Sequence, residues 1–169
     1  MNPLFVSFCF LLFSFLVVSG YALAQTSDRV SVRLYGLPNQ PIDLTLAALK
    51  QMELREVAVS DKGGETLRYK GVYVSDVLKK TGAILGEALR GENFGQYLLV
   101  RARDGYRVVF SLAEIDPAIT DQVVLLPFLL NGEPLEPIVR PLRLVVPQDK
   151  RQARWVREVT EIELKKASE

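Results

Sequence analysis

Two glycine-bearing turns, each set between two β-prone runs, constrain this chain most. Asp61-Lys62-Gly63-Gly64 separates "EVAVS" (56–60) from "ETLRYK" (65–70), and Asp104-Gly105 separates "QYLLVRAR" (96–103) from "YRVVFS" (106–111). Glycine reaches positive φ without steric penalty, so each pair of runs is predicted to fold back as an antiparallel hairpin. A third turn, Asn131-Gly132, closes the apolar run "QVVLLPFLL" (122–130). Pro127 inside that run cannot donate to a ladder, so a strand there sits at an edge or is bent.

The other elements are short. Val30, Val32 and Leu34 alternate with Ser31, Arg33 and Tyr35, the period of a half-buried strand. Leu142–Val146 and Trp155–Leu164 are predicted as the last two strands. "LTLAALKQM" (44–52) has helical spacing with Thr45 as N-cap, and "GVYVSDVLKKTGA" (71–83) places Ser75 before a second helix and Gly82 just after it. Ser111 and Glu114 have capping-box spacing for one further turn, ended by Asp116-Pro117. Residues 84–95 hold three glycines and no pattern that determines a structure. Seven or more strands, with two or three short helices that do not alternate with them, predict a mixed, sheet-rich α+β domain rather than a doubly wound sheet.

Composition narrows the chemistry. The chain has no histidine and one cysteine, Cys9, which lies in the N-terminal apolar run. Beyond that run there is no thiolate and no imidazole. Cysteine nucleophiles, Ser-His triads, His-ligated zinc and Cys-ligated clusters are excluded there. The formal net charge of +1 offers no global case for a nucleic-acid partner.

Residues 1–24 carry no charged side chain and end in Ala22-Leu23-Ala24, small residues at the positions a signal peptidase reads. They are read as a secretory signal peptide cut after Ala24, which leaves 25–169 as a single domain, periplasmic or secreted. No Lys or Arg precedes the apolar run. An N-terminal membrane anchor is therefore the alternative, although so short a run spans a bilayer poorly.

Few residues bear chemistry. Asp104, Gly105 and Tyr106 place a carboxylate and a phenol at one turn; an ordinary hairpin with a surface tyrosine has the same pattern. Arg143 interrupts the apolar run Leu142–Val146 and shares a strand face with Val145. There it either grips an anion such as a phosphate or is an outward strand residue. "DKRQARWVR" (149–157) sets Arg154 and other cations beside Trp155, a pattern suited to an anionic ring system or to a solvated loop. There is no general acid/base constellation, no GxGxxG and no Walker loop.

Taken in order, "YKGVYVSDVLKKTGA", "ARDGYRVVFSLAEI", "VVLLPFLLNGEPLEP" and "RPLRLVVPQDKRQARWVREVTEIEL" resemble the sulfite-oxidase-type molybdopterin-binding oxidoreductase domain. The resemblance spans nearly all of residues 30–165 and implies that family's mixed α+β fold, with molybdopterin as cofactor. It implies cofactor-site positions at Tyr106, with Asp104 beside it in the same turn, at Arg143 in the "P-x-R" strand, and at Arg154-Trp155, where the family has a Lys-Trp pair. It also implies a cysteine thiolate on molybdenum, between "EVAVS" and "YKGV". Here that interval reads "DKGGETLR" and has no sulfur. "IVRP" also stands where the family has glycine.

Three functional readings follow. The first is an exported binding or accessory module that has lost molybdenum chemistry and takes a small anionic ligand or a protein partner. The second is a molybdopterin-dependent oxidoreductase, acting by oxo or electron transfer, that holds its cofactor without cysteine and works with an auxiliary subunit. A third reading is a periplasmic partner of a membrane redox or signalling complex. From the residues alone no metal site, catalytic residue or cofactor is assigned.

Overall fold

The computed structural model describes residues 31–38, 41–135 and 142–167. The leader 1–24, Val30 and the "IVRP" segment lie outside the described residues. In chain order the strands are β1 (Ser31–Tyr35), β2 (Ile42–Thr45), β3 (Arg55–Ser60), β4 (Thr66–Tyr73), β5 (Gln96–Ala102), β6 (Arg107–Ser111), β7 (Leu125–Leu130), β8 (Glu133–Pro134) and β9 (Val159–Lys166). Two short helices, α1 (Leu46–Lys50) and α2 (Val74–Lys80), interrupt them. The protein is a sheet-rich α+β fold, as expected.

Two sheets build it. One runs β2-β1-β9-β5-β6, the other β3-β4-β7-β8. β1 and β9 pair in parallel, Leu34 opposite Ile162, and the remaining pairings are antiparallel. Both glycine turns make the expected hairpins. β3 pairs with β4 through the 61–64 turn, and β5 pairs with β6 through Asp104-Gly105, where Gly105 takes φ +86°. One apolar core draws Leu34, Leu98, Phe110 and Ile162 from the first sheet and Val72, Leu125 and Leu126 from the second. Each such fully buried side chain contributes about 1.5–3 kcal/mol against exposure.

Pro127 is accommodated by bending. The register slips between Lys70, opposite Leu129, and Gly71, opposite Pro127, so Phe128 is the extra residue of a bulge. Gly71 is required there. A Cβ at that position would run into the Leu126 carbonyl and the Pro127 Cα, both backbone.

Local capping follows the sequence at three of four places. Thr45 accepts from the Ala48 N–H at 3.1 Å, and Ser111 with Glu114 closes a capping box. Gly82 takes φ +90° directly after the C-cap Thr81. Ser75 is not the N-cap of α2: it lies inside the helix and is buried, and Tyr73 is the N-cap without a side-chain bond. β4 runs straight into the helix, and the Val124 carbonyl accepts from the Val74 N–H at 2.9 Å, so a side-chain cap has less to do.

The last two predicted strands are both shorter than expected. Leu142–Val146 makes one isolated bridge, Val145 with Leu125, and bonds from Leu144 to the Val156 carbonyl. All five of its residues are buried, so it has no solvent face. Residues 152–154 form a 3-10 turn, and Glu158 takes φ +48° to redirect the chain into β9, which begins at Val159. Among the described residues no helix is long and apolar enough to cross a membrane.

Candidate functional site

A cavity of about 620 Å³ opens between the end of β3 and the loop that precedes β9. One wall is the end of β3 and the turn after it: Ala58, Val59, Ser60, Asp61 and Lys62. The other is the loop from Pro147 to Gln152, with Trp155 behind it. The segment in which the resemblance places a metal-binding thiolate therefore borders this space, and it presents Asp61 and Lys62, with Ser60 just before them.

The lining is cationic in effect. Lys62, Lys150 and Arg151 have no ion pair among the described residues. The two carboxylates are committed elsewhere. Asp61 Oδ1 accepts from the Gly63 and Glu65 N–H groups, each at 2.8 Å, which fixes the turn. Asp149 pairs with Arg154, at 2.6 Å from Nη2 and 2.9 Å from Nε. An incoming anion thus meets three uncommitted cations.

Trp155 is the fixed aromatic wall. It is 7% exposed, and its indole N–H donates to the Val146 carbonyl at 3.0 Å. Tyr69 of β4 meets it edge to face, with ring centroids 6.0 Å apart at 89°. Arg143 completes the cluster. Its guanidinium carbon lies 5.1 Å from the Tyr69 centroid and 5.6 Å from that of Trp155. Nη1 donates to the Tyr69 hydroxyl at 3.2 Å, and Nε has no partner among the described residues. At 8% exposure Arg143 is not an outward strand residue. It has no carboxylate partner among the described residues. Burial pushes its pKa down, the Tyr69 phenol opposes this, and Arg157 adds repulsion.

The remaining expected residues divide. Asp104, Tyr106 and Trp155 border a second, shallower depression of about 230 Å³, together with Arg157. Gln152 and Trp155 line both spaces. Asp104 accepts from the Tyr106 N–H at 2.9 Å, and the Tyr106 hydroxyl donates to the Ala153 carbonyl at 2.8 Å. That bond ties the β5–β6 hairpin tip to the loop that walls the larger cavity. Arg154 is not brought to either space. Its guanidinium donates to Asp149 and, at 2.8 Å, to Glu114, and lies 4.7 Å from the Phe110 centroid. Asp149 first, then Glu114, raises its pKa against the cost of burial.

Sequence reasoning missed Tyr69 and the Ser60–Lys62 wall. Tyr69 could have been found as the aromatic at an inward position of β4; the turn was read only as a turn. No cluster of His, Cys, Asp and Glu suited to a metal ion occurs among the described residues.

No curated protein matches the chain. Among solved structures, the sulfane dehydrogenase SoxCD from Paracoccus pantotrophus shares the fold with a TM-score of 0.63 at 20% identity. That match covers 85% of this chain and 40% of the other, so the chain spans well under half of the SoxCD chain. The family model for the oxidoreductase molybdopterin binding domain matches residues 21–169. The chain belongs to the oxidoreductase molybdopterin binding domain family.

Proposed function

We propose that this chain is an exported binding module on the molybdopterin-oxidoreductase fold, one that takes a small, planar, anionic ligand and no protein-ligated molybdenum. One observation carries the reading. Where the family resemblance requires a thiolate, the cavity wall offers a carboxylate turned into its own turn and an ammonium. The residues present do not fit a metal held by sulfur. They do fit an anionic ring. Trp155 gives a rigid flat wall, Lys62, Lys150 and Arg151 give charge, and Gln152 gives an amide. Export rests on the apolar, uncharged residues 1–24 and their Ala22-Leu23-Ala24 end.

Trp155 is the chain's one tryptophan, so its fluorescence reports the site directly. Titration with a metal-free carboxylated pterin should quench it saturably, and Lys150→Gln with Arg151→Gln should weaken binding. Mass spectrometry of protein from cells supplied with molybdenum should find a chain beginning at Gln25 with no stoichiometric molybdenum. A tightly held molybdenum centre would sink the reading.

Family membership itself favours a second reading, a molybdopterin-dependent oxidoreductase completed by an auxiliary subunit. It predicts stoichiometric molybdopterin in the purified protein and its retention on gel filtration. Recovery of the protein free of pterin from molybdenum-replete cells would exclude it.

A further inference from the structure

We propose that the outer edge of β3 is a docking edge for an extended acidic segment of a partner protein, which joins the sheet as an added strand. β3 is the terminal strand of its sheet. The Asp61 N–H donates to the Glu65 carbonyl at 2.9 Å. Hydrogen-bonded pairs alternate in an antiparallel ladder, so Val59, Val57 and Arg55 share bonds with β4. The N–H and C=O groups of Glu56, Ala58 and Ser60 therefore point away from β4, and no described residue bonds to them.

Exposed strand edges are normally blunted by a proline, a bulge, an edge lysine or a covering loop. β3 has neither proline nor lysine and keeps an unbroken register over its six residues. The large cavity runs alongside it. Ala58, Val59 and Ser60 all line that space, although successive strand residues point to opposite faces. Three in a row border one space only when it follows the strand's edge. The small side chains of Ala58 and Ser60 leave the outward amides accessible.

Charge selects the occupant. Lys62 at the turn, with Lys150 and Arg151 on the facing loop, stand along this groove without anionic partners among the described residues. A strand with alternating acidic side chains would gain main-chain bonds from Glu56, Ala58 and Ser60 and ion pairs from the rim. This proposal stands apart from the small-ligand reading. The small ligand is placed against Trp155 and the strand along β3, at two walls of one cavity, so the two share that space and its cationic rim.

The probe is a capped synthetic peptide alternating glutamate and valine, compared with the same peptide N-methylated at every second residue. N-methylation keeps the charge and removes main-chain donors. The unmodified peptide should bind at least about tenfold more tightly, the worth of one or two hydrogen bonds, and should slow hydrogen exchange at Ala58 and Ser60. Ala58→Pro removes one outward N–H while the β3–β4 bonds remain. It should lose about tenfold in peptide affinity and keep the far-UV spectrum. Three results would overturn the proposal: no peptide binding, equal binding of both peptides, or amides at Glu56, Ala58 and Ser60 already protected in the free protein. Protection that appears only with rising protein concentration would assign the edge to a second copy of this chain and also overturn it.

Discussion

The Arg143 guanidinium lies 5.6 Å from the centroid of the Trp155 ring, and Trp155 forms a wall of the cavity of about 620 Å³. The arginine reaches the site through the indole. It is a buried cation with no carboxylate partner among the described residues, held by two aromatic rings and one phenol hydroxyl. A desolvated charge in that state raises the potential at the neighbouring cavity, while its stem and planar head fill the space against Tyr69 and Trp155.

The packing and the charge of Arg143 separate in two substitutions. Arg143→Ala leaves a void between the rings and should cost about 2–4 kcal/mol in urea unfolding. Arg143→Met fills much of that volume and removes an uncompensated charge, so its stability should stay within about 1 kcal/mol of the parent. Both should weaken binding of an anionic ligand. If Arg143→Met destabilises as much as Arg143→Ala, the guanidinium is making bonds that outweigh its desolvation.

Tyr106→Phe tests the tie between the hairpin tip and the cavity loop. It removes the 2.8 Å bond to the Ala153 carbonyl and nothing else of size, since the side chain is 48% exposed. Stability should fall by only about 0.5–1.5 kcal/mol. Hydrogen exchange should quicken in residues 149–154 while the β5–β6 ladder stays protected. Unchanged exchange in that loop would mean that its other contacts hold it.

The hairpins, the capping box and the α+β class were legible because each rests on neighbours in sequence. Gly105 turns the chain whatever surrounds it, and Ser111 caps residues three positions away. The final third was less legible. Leu142–Val146 reads as a strand with one solvent face, yet tertiary packing buries both faces around a single bridge to β7. Trp155 reads as strand because aromatic and branched residues follow it, but the positive φ at Glu158 delays β9 by four residues from the expected start at Trp155. Arg143 and Arg154 look alike in sequence as strand or loop cations. Their difference lies in partners distant along the chain, Tyr69 for one and Glu114 for the other.

Gly71→Ala tests the bulge that lets Pro127 sit inside a sheet. The added methyl meets backbone at Leu126 and Pro127, which cannot rotate away as a side chain would. Loss of about 3 kcal/mol or more is expected, large for a glycine-to-alanine change. Gly64→Ala is the comparison: it also changes a glycine, but no atom lies within 4 Å of the new methyl, so its cost comes from the positive φ alone. Thermal or urea unfolding should rank Gly71→Ala well below Gly64→Ala. The reverse order would show that the sheet yields at the bulge.

Acid should weaken the network that fastens the cavity loop to the capping turn. Desolvation alone would raise the Glu114 pKa, but the Ser111 N–H, Arg154 and the Ser111 hydroxyl outweigh it and hold it below its ordinary 4.5. A carboxylate lowered on folding contributes stability that is complete above its ordinary value and is lost as pH falls through the lowered one. Arg154 stays charged throughout, its pKa raised by Asp149 and Glu114, so this loss belongs to the carboxylate. Glu114→Gln keeps an oxygen able to close the capping box and removes the titration. The stability difference between parent and Glu114→Gln should therefore be constant from neutral pH down to about 4.5 and shrink in more acid solution. Salt should reduce it, because the pair is partly open to solvent. A difference independent of pH across that acid range would show that the hydrogen bonds of Glu114 matter and its charge does not.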